Sequence, residues 1–424
     1  MRRGIRGRAG AAHLGFAVFG GFWGTWGASI PTIRDQAGIS DGQLGTALLF
    51  VGAGALPAMP LAGSLVDRWG TRAAAVLLAS LGLAGVLVAA TARDLVGLSV
   101  GLAALGAVSG AADVAINAVA GSAQATTGAP VIGRAHAVFS AAVVVSSLGT
   151  GAARAAGVPL VVTFVVLAAG ALAAAIVLAR DAPAPAVAGH RAPGRHAPRP
   201  RGGPARPLLV LGGLGALAFA VENGHQSWSA LYLSDVLDAG PTAAAAGPAV
   251  FAATVAVTRW STADLSTRRP GAVLLGGCLL ATAGTAALAL STSVGLGLLA
   301  LAVAATGTAV LFPTLLGVLT SRVPDDVRGA ATSVVATTAY LGFLAGPVYV
   351  GRWADSVELP GAMLALAVLA AILAVLAPIC VHRLTRTDAA GATGVPAPTD
   401  TASPSGPGVA ASRRGALGRL PRES

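Results

Sequence analysis

Of the 424 residues, 55% are hydrophobic and only 11% charged, and the mean hydropathy is +0.76. That balance excludes an ordinary soluble domain and places the chain in a bilayer. The formal net charge is +11, but the basic residues sit in clusters between apolar runs and form no single folded face, so no nucleic-acid partner is expected.

A spanning helix needs about 20 predominantly apolar residues. Such runs recur at 13–33, 43–63, 73–92, 95–120, 136–157, 158–179, 207–233, 243–263, 271–290, 294–320, 330–350 and 361–381. The reading is an all-α integral membrane protein of about 12 transmembrane helices. The fifth and sixth runs nearly merge, which leaves counts of ten or eleven open. The first run follows a basic start, MRRGIRGR, that resembles a signal peptide; its apolar stretch is too long and eleven more follow, so it reads as an uncleaved first helix. The chain has no lysine. With the N-terminus inside, every arginine except Arg34, Arg93, Arg154 and Arg352 falls on one side, which puts both termini in the cytoplasm. Trp23 and Trp26 in the first run either line a cavity or anchor the membrane interface.

Between the second and third runs stands GSLVDRWGTR (63–72). Gly63 and Gly70 suit a tight turn, and Asp67, flanked by Arg68 and Arg72, can pair with an arginine or a helix N-terminus of the other half. That pairing would latch the cytoplasmic side shut; the plainer account is a set of ordinary boundary charges. The fourth run carries GAADVAINAV (110–119). On a helical wheel Asp113 shares one stripe with Asn117, Gly110, Ser109 and Gly106. A charged aspartate facing lipid costs about 2.5–3.5 kcal/mol or more, so the stripe faces protein or water. Asp113 and Asn117 are therefore candidates either for a solute cavity or for helix packing, with the glycines permitting close approach. His136, near the start of the fifth run, is as readily a boundary histidine as a functional one.

Residues 180–206, rich in Pro, Gly and Arg, read as a cytoplasmic linker. It separates a six-helix half at 1–179 from a second at 207–381, the organisation of a transporter built from two repeats around a central cavity. The seventh run holds FAVENGHQSWSALYL (219–233). Glu222, His225, Gln226 and Ser229 share a face, with Asn223 at its edge and Trp228 beside it. Packing alone rarely needs so many polar groups, so they are candidate cavity residues. A glutamate and a histidine three apart can hold or relay a proton, which makes Glu222 and His225 the first candidates for coupling and Asp113 the next. After the eighth run, WSTADLSTRRP (260–270) keeps the Asp264-to-Arg269 spacing of the first half's loop without its glycines. Cys278 and Cys380 are far apart and read as apolar fillers, offering neither a disulfide framework nor a metal cluster. The tail, 382–424, reads as a disordered cytoplasmic segment, either solvated or weakly tethered to anionic lipid.

Residues 63–72 resemble the signature loop of the major facilitator superfamily, G-x-L-a-D-r-x-G-r-r, through Gly63, Leu65, Asp67, Arg68, Gly70 and Arg72; Thr71 departs from it. GTWGASIPTIRDQAGISDGQLGTALL (24–49), ADVAINAVAG (112–121), GRAHAVFS (133–140), WSALYLSDVLDAGP (228–241) and LGFLAGPVYVGRWAD (341–355) resemble the MosC-like bacterial permeases of that superfamily. AAVVVSSLG (141–149) and Gln226 depart from that branch. The resemblance implies a permease that moves a small, sugar-like or related solute by alternating access; the intramembrane Glu222, His225 and Asp113 make the proton the expected coupling ion, and the expected setting is a monomer among the lipids of the bacterial inner membrane. Efflux of a drug or metabolite by proton antiport is the alternative, weakened because the fifth run lacks a proline; a non-transporting sensor is a third reading. No phosphate-cradling glycine loop, enzyme site, cofactor motif or metal spacing is present in the sequence.

Overall fold

The computed structural model describes residues 2–180 and 205–392, with side chains for 9–180, 206–324 and 327–380. The linker at 181–204 and the tail from 393 lie outside the described residues. The described chain is helical throughout: α1 Arg2–Ala37, α2 Asp41–Trp69, α3 Thr71–Thr91, α4 Leu95–Thr127, α5 Val131–Ala155, α6 Leu160–Arg180, α7 Ala205–Asp235, α8 Pro241–Arg268 and α9 Pro270–Ala289. Then come α10 Val294–Thr320, α11 at 325–356 and α12 at 359–392, the last two divided by non-helical backbone at Val357 and Glu358.

Ten described segments are long and apolar enough to cross a membrane, and the last of them, Val327–Cys380, runs through the Val357–Glu358 break and so contains two helices. With α1, which falls outside those ten, the helices number twelve. The fifth and sixth apolar runs are separate helices, because Gly157 turns the chain at φ 77° and Pro159 precedes α6. Several helices outrun the apolar runs that announced them. α4 continues to Thr127 and is closed by Gly128 at φ 68°, and α8 continues to Arg268.

Helix starts follow from their capping residues. Ser40 and Gln43 form a reciprocal capping box at α2. The Asp94 carboxylate accepts from Gly97 N at 2.7 Å to begin α4. Pro241 and Pro270 open α8 and α9, where no intrahelical donor is needed. Within the first half α1 packs on α5, α2 on α4, and α3 on α6; in the second, α7 packs on α8 and α9 on α10. α2 and α4 approach closely because Gly54 faces the Ala103 carbonyl and Gly106 the Val51 carbonyl, positions where a side chain would strike backbone.

The halves meet most closely at the end that holds the α1–α2 and α7–α8 connections. There Ser147 of α5 donates to Ala245 O of α8 at 2.7 Å. Asp355 of α11 accepts from Gly42 N at 2.8 Å and from Ser40 Oγ at 3.1 Å, completing the first turn of a helix in the other half. Arg34 of α1 reaches Asp41 of α2 and Asp235 of α7. At the opposite end Asp67, Arg68 and Arg72 are exposed, and no salt bridge forms at Asp67 among the described residues.

Candidate functional site

Between the halves lies a cavity of about 310 Å³. α1 contributes Phe19, Trp23 and Trp26; α4 contributes Ser109 and Asp113; α5 contributes Phe139. The second half contributes Asn223, Gln226 and Ser227 from α7, and Tyr340 and Phe343 from α11. Aliphatic residues and glycines form much of the wall, with aromatic rings from both halves and a few polar groups set among them, the usual composition of a small-molecule site.

The stripe on α4 divides its duties. Gly106, Ser109, Gly110 and Asp113 all line the cavity, and the two glycines also abut Val51 and Ala55 of α2. Asn117 stands one turn below and donates its amide to Asp113 Oδ1 at 3.0 Å and to Asp113 O at 2.9 Å. Asn117 orients the carboxylate without neutralising it. Among the described residues no cation forms a salt bridge with Asp113.

The polar face expected on α7 is distributed in three directions. Asn223 and Gln226 line the cavity, and the Asn223 amide also donates to Phe343 O at 2.5 Å, tying α7 to α11. Glu222 turns to α8, where Arg259 Nη2 lies 2.9 Å from Oε1 and 3.2 Å from Oε2. His225 is 1% exposed. Its Nδ1 bonds Val221 O at 2.7 Å, its Nε2 meets Thr285 Oγ1 at 2.9 Å, and its ring stacks on Phe251. Ser229 is buried against Gly247 of α8, and Trp228 is buried against Gly351 of α11. Glu222, His225, Trp228 and Ser229 therefore lie off the cavity lining. His225 serves as the hydrogen-bonded core of the α7–α8–α9 contact, as its full burial requires.

Arg259 lies nine residues inside the end of α8. Pro313 has no N–H to offer the carbonyl one turn earlier, and the regular bonding of α10 lapses at Val310. The stranded acceptor is Ala309 O, and Arg259 Nε donates to it at 3.0 Å. One guanidinium thus joins the break in α10 to Glu222 of α7. The signal available in sequence was Pro313 itself, which announces an orphan carbonyl without saying who answers it.

The residues expected to form a latch, Gly63, Asp67, Arg68, Gly70 and Arg72, are apart from the cavity lining. Gly70 joins α2 to α3 with φ 53°, a backbone conformation that favours glycine, and Gly63 has no neighbour for a side chain to meet.

Residues 12–347 match the model of the Major Facilitator Superfamily. The chain is 28% identical over 381 residues to the uncharacterized transporter y4wD of Sinorhizobium fredii (strain NBRC 101917 / NGR234), covering 86% of this chain and 96% of that one. It is 27% identical over 344 residues to an uncharacterized MFS-type transporter of Yersinia pestis, covering 80% and 87%. Among solved structures, a bacterial homolog of the human lysosomal transporter Spinster, in an inward-facing and unoccupied conformation, superposes with a TM-score of 0.73 at 16% identity, covering 90% of this chain and 98% of that one. A D-xylose-proton symporter superposes with a TM-score of 0.66 at 13% identity, covering 89% and 97%. Those likenesses are of fold. Signature loop, twelve-helix architecture and family match agree: the chain is a membrane transporter of the major facilitator superfamily.

Proposed function

We propose that this transporter is a proton-coupled secondary carrier that moves a small organic solute through the cavity by alternating access, as a monomer in the bacterial inner membrane. The observation that carries the reading is Asp113, a carboxylate on the cavity wall that accepts a hydrogen bond from Asn117 and forms no salt bridge among the described residues. A coupling group has to be neutral in one state and charged in another. Glu222, the first candidate in sequence, is neutralised by its own arginine and is poorly placed to exchange a proton with the solute path; Asp113 is free to do so.

The arginine-rich connections, placed inside by the positive-inside rule, make the exposed Asp67 end cytoplasmic and the Arg34 end external. The halves meet externally, so this conformation is the inward-facing one. Asp67 then latches the protein in the outward-facing state, when the cytoplasmic ends come together.

The test is a flux measurement in proteoliposomes, with a solute chosen by thermal-shift screening against sugars, polyols, amino acids and drugs. Asp113→Asn should abolish accumulation driven by a pH gradient and retain solute exchange at saturating solute. Undiminished accumulation in that variant would remove Asp113 from the coupling step.

A further inference from the structure

We propose that the cavity selects a solute bearing one positive charge on an aromatic or otherwise apolar body. The proposal rests on the reading that the cavity is the solute site. Its lining includes one carboxylate, Asp113, and no Arg or His. Arg259, the arginine within α8, is bound to Glu222 and lines a separate cleft between α8 and α10. A carboxylate walled by apolar groups and lacking a counter-charge is costly, and a cationic ligand relieves that cost directly.

The surroundings favour the same ligand. Trp23 and Phe139 of the first half and Tyr340 and Phe343 of the second line the same space as Asp113. Their π faces attract a cation and bury an apolar body in either half. An anion would meet the Asp113 charge with no compensating cation. A neutral polyol needs many hydrogen-bonding partners, and the cavity has few to spare. Asn223 is committed to Phe343 O and to Ser227. Gln226, Ser109 and the Tyr340 hydroxyl, which line the cavity, are among the groups left to bind a polar substituent. The chemistry is that of an amine with a hydrophobic body, at variance with the sugar-like solute that the sequence resemblance implies.

The purified full-length protein tests this with three probes of one shape: phenethylamine, 2-phenylethanol and 3-phenylpropionate. Trp23 and Trp26 line the cavity, so intrinsic tryptophan fluorescence reports occupancy without any gradient. The amine should bind about tenfold tighter than the alcohol, through a charge-assisted bond to Asp113, and the propionate most weakly. Asp113→Asn should remove the advantage of the amine and leave the alcohol unchanged. If that variant does not fold, the three affinities of the parent protein decide alone. Alcohol or propionate binding as tightly as the amine, or no binding by any of the three, overturns the proposal. Since no gradient is present, these outcomes are independent of proton coupling: an amine bound tightly by a protein whose flux ignores pH would sink the coupling reading and leave this one standing.

Discussion

Arg34 Nη1 lies 2.6 Å from Asp235 Oδ2 of α7 and 2.8 Å from Asp41 Oδ1 of α2. A single atom of α1 thus binds the second half while remaining anchored in the first. The Arg34 and Asp235 side chains are 18% and 29% exposed, so the pair is partly shielded from water and salt.

Asp235→Asn removes the charge on the far side of this link and leaves Arg34 bound to Asp35 and Asp41. The inward-facing state should lose about 1–2 kcal/mol relative to the outward-facing one, a shift of roughly 5- to 30-fold in their ratio. Spin labels at residues 38 and 239, in the two connections at this end, should report a longer distance distribution in the variant. An unchanged distribution would show that helix packing alone holds the end closed.

Asp67→Asn should act in the opposite sense. Asp67 is exposed and unpaired among the described residues, so its loss leaves this conformation untouched and weakens the alternative in which the cytoplasmic ends meet. Cysteine labelling of cavity positions from the cytoplasmic side should rise, with no change in thermal midpoint.

Glu222→Gln strands Arg259 beside the break in α10. Arg259 is 42% exposed and Glu222 14%, so water partly compensates the guanidinium and the cost should be modest, about 1–2 kcal/mol. A lower thermal midpoint with coupling intact, measured beside Asp113→Asn, separates a structural carboxylate from a transporting one. If Glu222→Gln instead keeps its midpoint and loses coupling, the two roles are reversed.

Gly106→Ala is expected to destabilise the first half by about 1–3 kcal/mol, because the added methyl meets the Val51 carbonyl of α2 and one helix has to shift. Gly63→Ala, in open space, serves as the control and should melt with the parent.

The helices were legible because each apolar run is long enough to span and is punctuated by Gly, Pro or Arg. Asp113 was legible for a related reason: a carboxylate in such a run has to face protein or water. The partners of α7 were not. Periodicity places Glu222, His225 and Ser229 on one face, but whether that face meets a cavity or another helix depends on residues such as Arg259 and Thr285, 37 and 60 positions away. Arg34 stood out in sequence only as an exception to the arginine rule. Its acidic partners Asp41 and Asp235 come from two other helices, and no local pattern links them.

Asp355 supplies a hydrogen-bond acceptor to the first turn of α2 from a helix of the opposite half. When the outer end opens, that acceptor withdraws and the amide of Gly42 has to be hydrated, as do the polar groups of Arg34 and Asp235. Water is therefore a stoichiometric participant in each outward opening. Solutes excluded from protein surfaces oppose hydration of newly exposed groups, so on the proposed orientation external osmolality should bias the carrier toward the inward-facing state, and the rate at which it turns outward should become a property of the medium as well as of the transported molecule.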